Sequence, residues 1–493
     1  MTKLRFLLLF MLIKISSYGQ YQSNYWFYGN RIESDSTRPG AFQALINTNG
    51  NFATSASPSF LNFESTMASI SDSSGNLLLY TNGCSIANGN HEIIDNGTGL
   101  NPGAMADAVC ENRGYIAETG AVFLPDPKGN GFWLIHMAIR EDKKFKTMLG
   151  PLYASHIIEE DGKYTVDFKN FDLLSGDLER FAIVKAGNGR DWWIITPKFN
   201  TNEYHKRYLG IAGFEFFPTQ KIGPVLNPQY CKNGRGMNIF STKGEFYVKH
   251  NSSCGPIVYN FDRCSGKLSN PKQFPIEEKT FGGGGVAFNL DDTRMYYSTG
   301  RKIFKLKNEN GVFTPLDTII LSYLDVSDFG EMVNLQNRIY IRNITSGTWL
   351  HRISFIPFGG KEEFFTPNTV NLKTRNTRSM PCPINYQLAK IPGSPCDSLV
   401  NTTDLLVSNT FNLYPNPIHN EQCILELNSG LSHAQDYEVM ITNIYGMQVY
   451  KSSIPAYSYI HRMNLADLPS GVYFCNIIQN GQVLATQKLV VVD

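Results

Sequence analysis

Residues Ser69–Gly83 read SISDSSGNLLLYTNG. A polar, glycine-containing turn runs into the apolar stretch Leu77–Tyr80, which stops at a second turn, Asn82-Gly83. Asp, Ser and Asn bond neighbouring backbone through short side chains, and Gly supplies positive φ, so both punctuation marks are turn signals. One such hairpin says little; its recurrence decides the fold. DPKGNGFWLIH, GNGRDWWIITP, STKGEFYVKH, LDDTRMYYST and LQNRIYIRN repeat the pattern, with strands starting near Leu77, Phe132, Trp192, Glu245, Arg294 and Arg338. The steps are 55, 60, 53, 49 and 44 residues. Four-stranded propeller blades repeat about every 40–50 residues plus insertions.

Further strand candidates, GAVFLP, FAIVKA, PIVYNFD and VFTPLDTIIL, lie between these anchors. The stretch from Tyr21 to Pro395 allows about 54 residues per blade for seven blades. The segment NYWFYG (Asn24–Gly29) is expected to add a strand that closes the ring on the last blade, removing exposed sheet edges. The expected class is therefore all-β: a propeller over 20–395, with seven blades expected and six or eight as alternatives. Two unrelated β-sandwiches are the competing architecture. A Pro/Ser/Thr/Asp-rich linker spans 396–410, and 411–493 alternates strands and turns as a small Ig-like β-sandwich.

Composition narrows the function classes. Net charge is +1 and charged residues are 18% of the chain, with no basic stripe for nucleic acid and no cationic cluster for an anionic membrane. Aromatics at 13%, with 42 Gly and 24 Pro, suit short strands and tight turns. Residues 1–19 read as a removed secretory signal: Lys3 and Arg5, the apolar run Phe6–Ile13, then Ser17-Tyr18-Gly19 as cleavage site, with Lys14 the untidy feature. No later stretch is expected to span a membrane once the signal is removed.

Nine cysteines suit an oxidising compartment, and an odd number leaves at least one thiol unpaired within the chain. Cys84 with Cys110 is a plausible pair across Gly-rich loop. Cys254 with Cys264 is not, because the strand PIVYNFD between them holds their Cα atoms roughly 20 Å apart, against about 4.4–6.8 Å for a disulfide.

The last segment resembles the C-terminal sorting domain of the type IX secretion system of Bacteroidota. The matching residues are Leu413 followed by Tyr414, Pro415, Asn416 and Pro417; the Asn443-x-x-Gly446 turn; Leu468-x-x-Gly471-x-Tyr473; and the closing run Lys488-Leu489-Val490-Val491. The resemblance implies delivery by the type IX machinery through the periplasm to the outer cell surface or medium. A generic Ig-like accessory domain is the alternative. Cys423 and Cys475 are unusual decorations that leave a disulfide open. DSSGNLLLYTNG, NGRDWW, YNFDRCSGKLSNP and GSPCDSL also resemble segments of large secreted propeller proteins of the same bacteria. That implies fold and location rather than activity. Asp317-Thr318-Ile319 and Asp397-Ser398-Leu399 resemble the O-glycosylation signal of those bacteria.

Motifs for catalysis are missing. There is no Gly-x-Ser-x-Gly elbow and no His-Glu-x-x-His helix. Phe281–Gly285 lacks the Lys-Ser/Thr of a phosphate loop. Asp72-Ser73-Ser74-Gly75 misses the sialidase Asp-box spacing and has too few carboxylates for calcium's 6–8 oxygens. Asp291-Asp292 reads as a turn. Trp192 and Trp193 point to opposite faces of a strand, and core packing is favoured over sugar stacking. The histidines show no ligand spacing, so no metal, cofactor or catalytic residue is assigned. Paired carboxylates brought together across a channel stay open. The expected role is non-catalytic binding of an extracellular glycan or protein. The alternative is a secreted hydrolase acting on glycans in a channel, and the long segment His91–Ala117 is the first place to look for a site.

Overall fold

The computed structural model describes residues 25–29, 42–46, 52–56, 59 and 61–492, except for short gaps. Those gaps are 143–145, 227–230, 232–235, 277–283, 321–328, 336–337, 344–346, 356–362, 377, 395, 397–410, 419–421, 428–435, 444–446, 457, 459 and 480–481. The signal segment, Gly446 and the Asp397-Ser398-Leu399 triplet lie outside the described residues. The chain divides into two compact units, Met1–Cys396 and Asp397–Asp493.

The first unit is built of antiparallel strand groups in chain order. They open with β1 (Tyr25–Tyr28), β2 (Phe42–Ile46) and β3 (Phe52–Ala56). The second group is β4 (Ala68–Ser71), β5 (Leu77–Thr81), β6 (Ser85–Asn88) and β7 (Ile93–Thr98). After helix α1 (Ala104–Val109) come β8 (Ala121–Pro125), β9 (Phe132–Asp142), β10 (Lys146–Glu160) and β11 (Lys163–Leu174). The fourth group is β12 (Ala182–Lys185), β13 (Trp192–Pro197), β14 (Glu203–Gly210) and β15 (Gly213–Lys221). The fifth is β16 (Asn238–Phe240), β17 (Phe246–Asn251), β18 (Gly255–Asp262) and β19 (Lys267–Gln273). Next are β20 (Val286–Phe288), β21 (Arg294–Thr299), β22 (Lys302–Glu309) and β23 (Val312–Ile320). The last is β24 (Phe329–Leu335), β25 (Arg338–Asn343), β26 (Gly347–Phe355) and β27 (Glu363–Asn376). The second and third groups share one sheet through a single parallel pair, Thr165 with Asp95.

The opening hairpin is now legible in atoms. Asp72 accepts from the backbone N–H of Ser74 and Asn76 at 2.8 Å each, and from Asn76 Nδ2 at 2.9 Å. Its carboxylate is spent on the turn, with Gly75 at φ 86°. Gly83, at φ 81°, lies where a Cβ would meet Thr66 and Tyr115 at 2.7 Å. Leu79 and Tyr80 are buried, whereas Leu77 and Leu78 are half-buried.

Within a group, burial falls from the first strand to the last. β13 is buried throughout, whereas β15 alternates between half-buried and exposed. Inner strands have neighbours on both faces and so are continuously apolar; outer strands meet water and alternate. The cores between groups form a closed cycle. β1 residues Trp26, Phe27 and Tyr28 pack both with Tyr80 of the second group and with Tyr340, Leu350 and Leu372 of the last. The remaining neighbours join through their own cores in chain order. Trp26 Nε1 donates to Ser379 O at 3.1 Å and Tyr28 OH to Leu372 O at 3.0 Å, so β1 is fastened to the end of the ring. The fold is all-β, a β-propeller followed by a β-sheet domain.

The second unit holds β28 (Phe411–Tyr414), β29 (Gln422–Leu427), β30 (Tyr437–Asn443), β31 (Gln448–Ile454), β32 (Ile460–Asn464), β33 (Gly471–Gln479) and β34 (Gln482–Val491). They form two sheets, β28-β29-β32 and β31-β30-β33-β34, around one core.

The segment His91–Ala117 is not an irregular loop. It contains β7 and α1, and Cys84–Cys110 staples it, with Cys110 following directly on the helix. Leu100 N–H donates to Cys84 O and Tyr115 N–H to Asn82 O, so the segment is tied to the neighbouring strands.

Candidate functional site

The entry ends of the inner strands bring together charges that lie far apart in the chain. Glu118 precedes β8, Arg180 precedes β12, Glu331 lies in β24, Arg342 in β25 and Arg378 follows β27. Arg180 pairs with Glu118, and Arg342 donates to Glu331 from Nε at 2.7 Å. Arg342 and Arg378 stand 4.0 and 3.6 Å from Glu118. Arg180 also donates to Gly236 O, and its own carbonyl accepts from Asn238 Nδ2 at 2.6 Å. Arg113 reaches Glu64 at 2.8 Å, and buried Lys249 reaches Glu179 at 2.9 Å.

The two central carboxyls divide their proton unequally. Burial would raise Glu118, but Arg180, Arg342 and Arg378 and a hydrogen bond from Glu331 hold it at about 2. Glu331 is pushed up, by burial first and by the Glu118 charge, against the pull of Arg342. The two carboxyls are thus pushed in opposite directions, as expected for like charges forced into one site.

One level further along the inner strands the lining is mixed, with Ser241, Thr242, Asn334, Asn385 and Gln387 among apolar side chains. A cavity of about 380 Å³ is lined by Ile183, Ile239, Val286 and Val333 of four inner strands and by a strap over Pro381–Leu388. The strap is held across the ring: Tyr386 OH donates to Phe123 O at 2.8 Å and Asn385 Nδ2 to Thr242 O at 2.8 Å. Arg263 donates to Ala389 O at 2.8 Å, and Ile391 N–H to Gly187 O at 2.7 Å. Cys264–Cys396 ties its end to the turn after β18, and Cys231–Cys254 is a further bridge. Cys254 and Cys264 therefore have separate partners. Cys382, on the strap, is a free thiol that burial raises to about 12.

Other sequence candidates fall in structural places. Trp192 and Trp193 are each 1% exposed, in the cores on either side of their strand. Their indole N–H groups donate to Pro125 O and Arg263 O. Asp292 is buried and accepts from the backbone of Thr242 and Lys243, tying the sixth group to the fifth. His136 sits between Asn101 and Ser155, where burial lowers it to about 3. Among the described residues no cluster of three His, Cys, Asp or Glu side chains is placed to hold a metal. No described helix is long and apolar enough to cross a membrane.

The C-terminal motif residues meet in the second unit. Asn416 Nδ2 donates to Lys488 O at 2.7 Å, and Asn416 Oδ1 accepts from Val490 N–H at 2.9 Å. Ile418 then bridges in parallel to Val491. Tyr414, Pro415, Asn416 and Pro417 are thereby the clasp on the last strand, with Tyr414 and Lys488 exposed. Tyr473 is buried and donates to Pro469 O at 2.7 Å, two residues before Gly471, which opens β33. Asn443 Oδ1 accepts from Met447 N–H at 3.0 Å. Cys423 and Cys475 are free thiols buried in the same core.

Residues 412–492 match the secretion system C-terminal sorting domain. That domain marks the chain for secretion and cell-surface export by the type IX route. No curated protein matches the chain. Among solved structures, the chain is similar to the periplasmic gluconolactonase of Pseudomonas aeruginosa, with 10% identity, TM-score 0.37, and 90% of this chain and 99% of that one covered. It is similar to the lectin of Aleuria aurantia, described as a six-bladed β-propeller that recognises fucose, with 13% identity, TM-score 0.32, and coverage of 67% and 93%. A functionally unknown protein of Desulfotomaculum acetoxidans is similar at 10% identity and TM-score 0.39, with coverage of 74% and 100%.

Proposed function

We propose that this chain is an exported seven-bladed propeller that binds an extracellular ligand at its channel mouth without turning it over. The C-terminal sorting domain, over 411–493, delivers it through the type IX machinery. The seven strand groups and their closed cycle of cores support the blade number. The observation that carries the binding reading is the state of Glu118 and Glu331. Each is engaged by arginine, Glu118 by Arg180 and Glu331 by Arg342, so neither is presented to a scissile bond. Arg113 and Arg378, whose side chains are 53% and 57% exposed, offer donors at the same level.

A hydrolase acting on glycans is the second reading, favoured by the unequal proton affinities of the same two carboxyls, the usual mark of an acid and base pair. One experiment separates them. The full chain is screened on immobilised glycans and matrix proteins while soluble oligosaccharides are followed for new reducing ends. Retention without release supports binding, and Arg378→Ala is expected to weaken it. Release that disappears in Glu118→Gln and Glu331→Gln overturns the binding reading in favour of hydrolysis.

A further inference from the structure

The rim between the third and fourth groups carries a second surface, away from the channel. In register across three strands lie Trp133 of β9, His156 of β10 and Phe168 of β11. Their ring centroids are 4.6 Å apart for Trp133–His156 and 5.6 Å for His156–Phe168. Phe214 of β15 closes the row from the next group, 4.7 Å from Trp133, and Phe171 stacks on Phe214 at 6.4 Å and 24°. Trp133 forms the buried floor, while Phe168 and Phe171 are 40% and 44% exposed. Contiguous exposed rings of this kind mark a contact surface, because each leaves apolar area in water that packing within the fold does not recover.

Polar groups are set among these rings. His156 bridges buried Asp126 and half-exposed Asp167 at 3.2 Å each. One Asp167 oxygen faces the imidazole, which leaves the other to accept from a ligand beside Phe168. Arg207 of β14 lies 4.5 Å over the ring of exposed Phe216 of β15. A wholly apolar partner would bury the second Asp167 oxygen, the one turned from His156, without a donor, at a cost of its lost hydration. A pyranose ring meets both demands, with C–H faces for the aromatic rings and hydroxyls for the carboxylate.

We propose that the aromatic surface spanning β11 and β15 is a saccharide site, with Phe168 and Phe171 as stacking faces and Asp167 as the hydroxyl acceptor. It stands independently of the channel. The test uses the full chain on a panel of neutral oligosaccharides ending in glucose, galactose, mannose or fucose, with Trp fluorescence as a second readout. Phe168→Ala combined with Phe171→Ala, and separately Asp167→Asn, are each expected to weaken retention at least tenfold. Val312→Ala, an exposed apolar position on β23, is the control expected to keep it. Thermal unfolding of each variant checks that the fold is intact.

Three results overturn the proposal: no saccharide of the panel is retained at millimolar concentration; retention survives the double phenylalanine substitution; or it is lost in Arg378→Ala and kept in the rim variants. The last places the sugar in the channel and leaves the channel reading standing alone.

Discussion

Removing the Cys264–Cys396 bridge tests how the ring is held. The bond closes a span of 132 residues, against 26 for Cys84–Cys110 and 23 for Cys231–Cys254. In the chain-entropy picture a cross-link stabilises by restricting the unfolded chain, in proportion to the logarithm of loop length. That gives about 5 kcal/mol for the long span and about 3.5 kcal/mol for each short one at 25 °C. The native side changes little. Without the bridge the strap still has the bonds from Arg263 to Ala389 O, from Ile391 to Gly187 O and from Tyr386 to Phe123 O. A Cys264→Ala/Cys396→Ala variant should therefore unfold in urea at a lower midpoint, with a stability loss larger than that of Cys84→Ala/Cys110→Ala. Amide exchange at Ile391 should stay protected until global unfolding. The reasoning fails if the long-span variant loses no more than the short-span one. It also fails if Ile391 exchanges freely while the midpoint holds, since the bridge would then be pinning a loose strap rather than restricting the unfolded chain.

Further outcomes follow from single sites. Arg342→Met leaves Glu331 and Glu118 short of a buried cation, and urea unfolding should register a loss of about 3–5 kcal/mol, the cost of an uncompensated buried charge. A Cβ on Gly187 would lie 2.2 Å from Cys396 Sγ and 2.7 Å from Cys264 Sγ. Gly187→Ala should thus displace the bridge and speed its reduction by dithiothreitol, measured by thiol counting. Burial holds His136 at about 3, below its ordinary 6.5. The unfolded chain therefore takes up the proton first, so stability is full above pH 6.5 and falls on acidification toward pH 3, by on the order of 4 kcal/mol. His250 and His351, each lowered to about 4 by burial, add to the same slope. Thermal unfolding from pH 8 to 4 checks it, and His136→Gln should flatten it. Deleting Asn412–Asp493 should leave the chain inside the cell envelope, read by surface proteolysis.

The repeat was legible because its signals are local. Asp72 makes its turn with residues two and four positions on, and Gly83 occupies a backbone conformation that glycine favours. The C-terminal clasp was legible as a set of short motifs, though not as contacts: Asn416 and Lys488 are partners across the second unit. The long segment after His91 misled, because its strand and short helix carry weak periodicity and the staple from Cys84 does the ordering. The aromatic rim surface was passed over because Phe168, Phe171 and Phe214 are ordinary strand residues in sequence. The adjacent tryptophans drew attention instead, and they are core.

What the sequence alone determined is what neighbouring residues decide among themselves: turns, strands, the period near fifty residues and the export tail. Only the tertiary structure decided which charges meet. Glu118, Arg180, Glu331, Arg342 and Arg378 span more than half the chain, and closure of the ring brings them to one level. The physical reason is that turn and strand preferences act over a few residues, whereas a buried ion pair or a distant disulfide exists only after loop closure has made its partners neighbours.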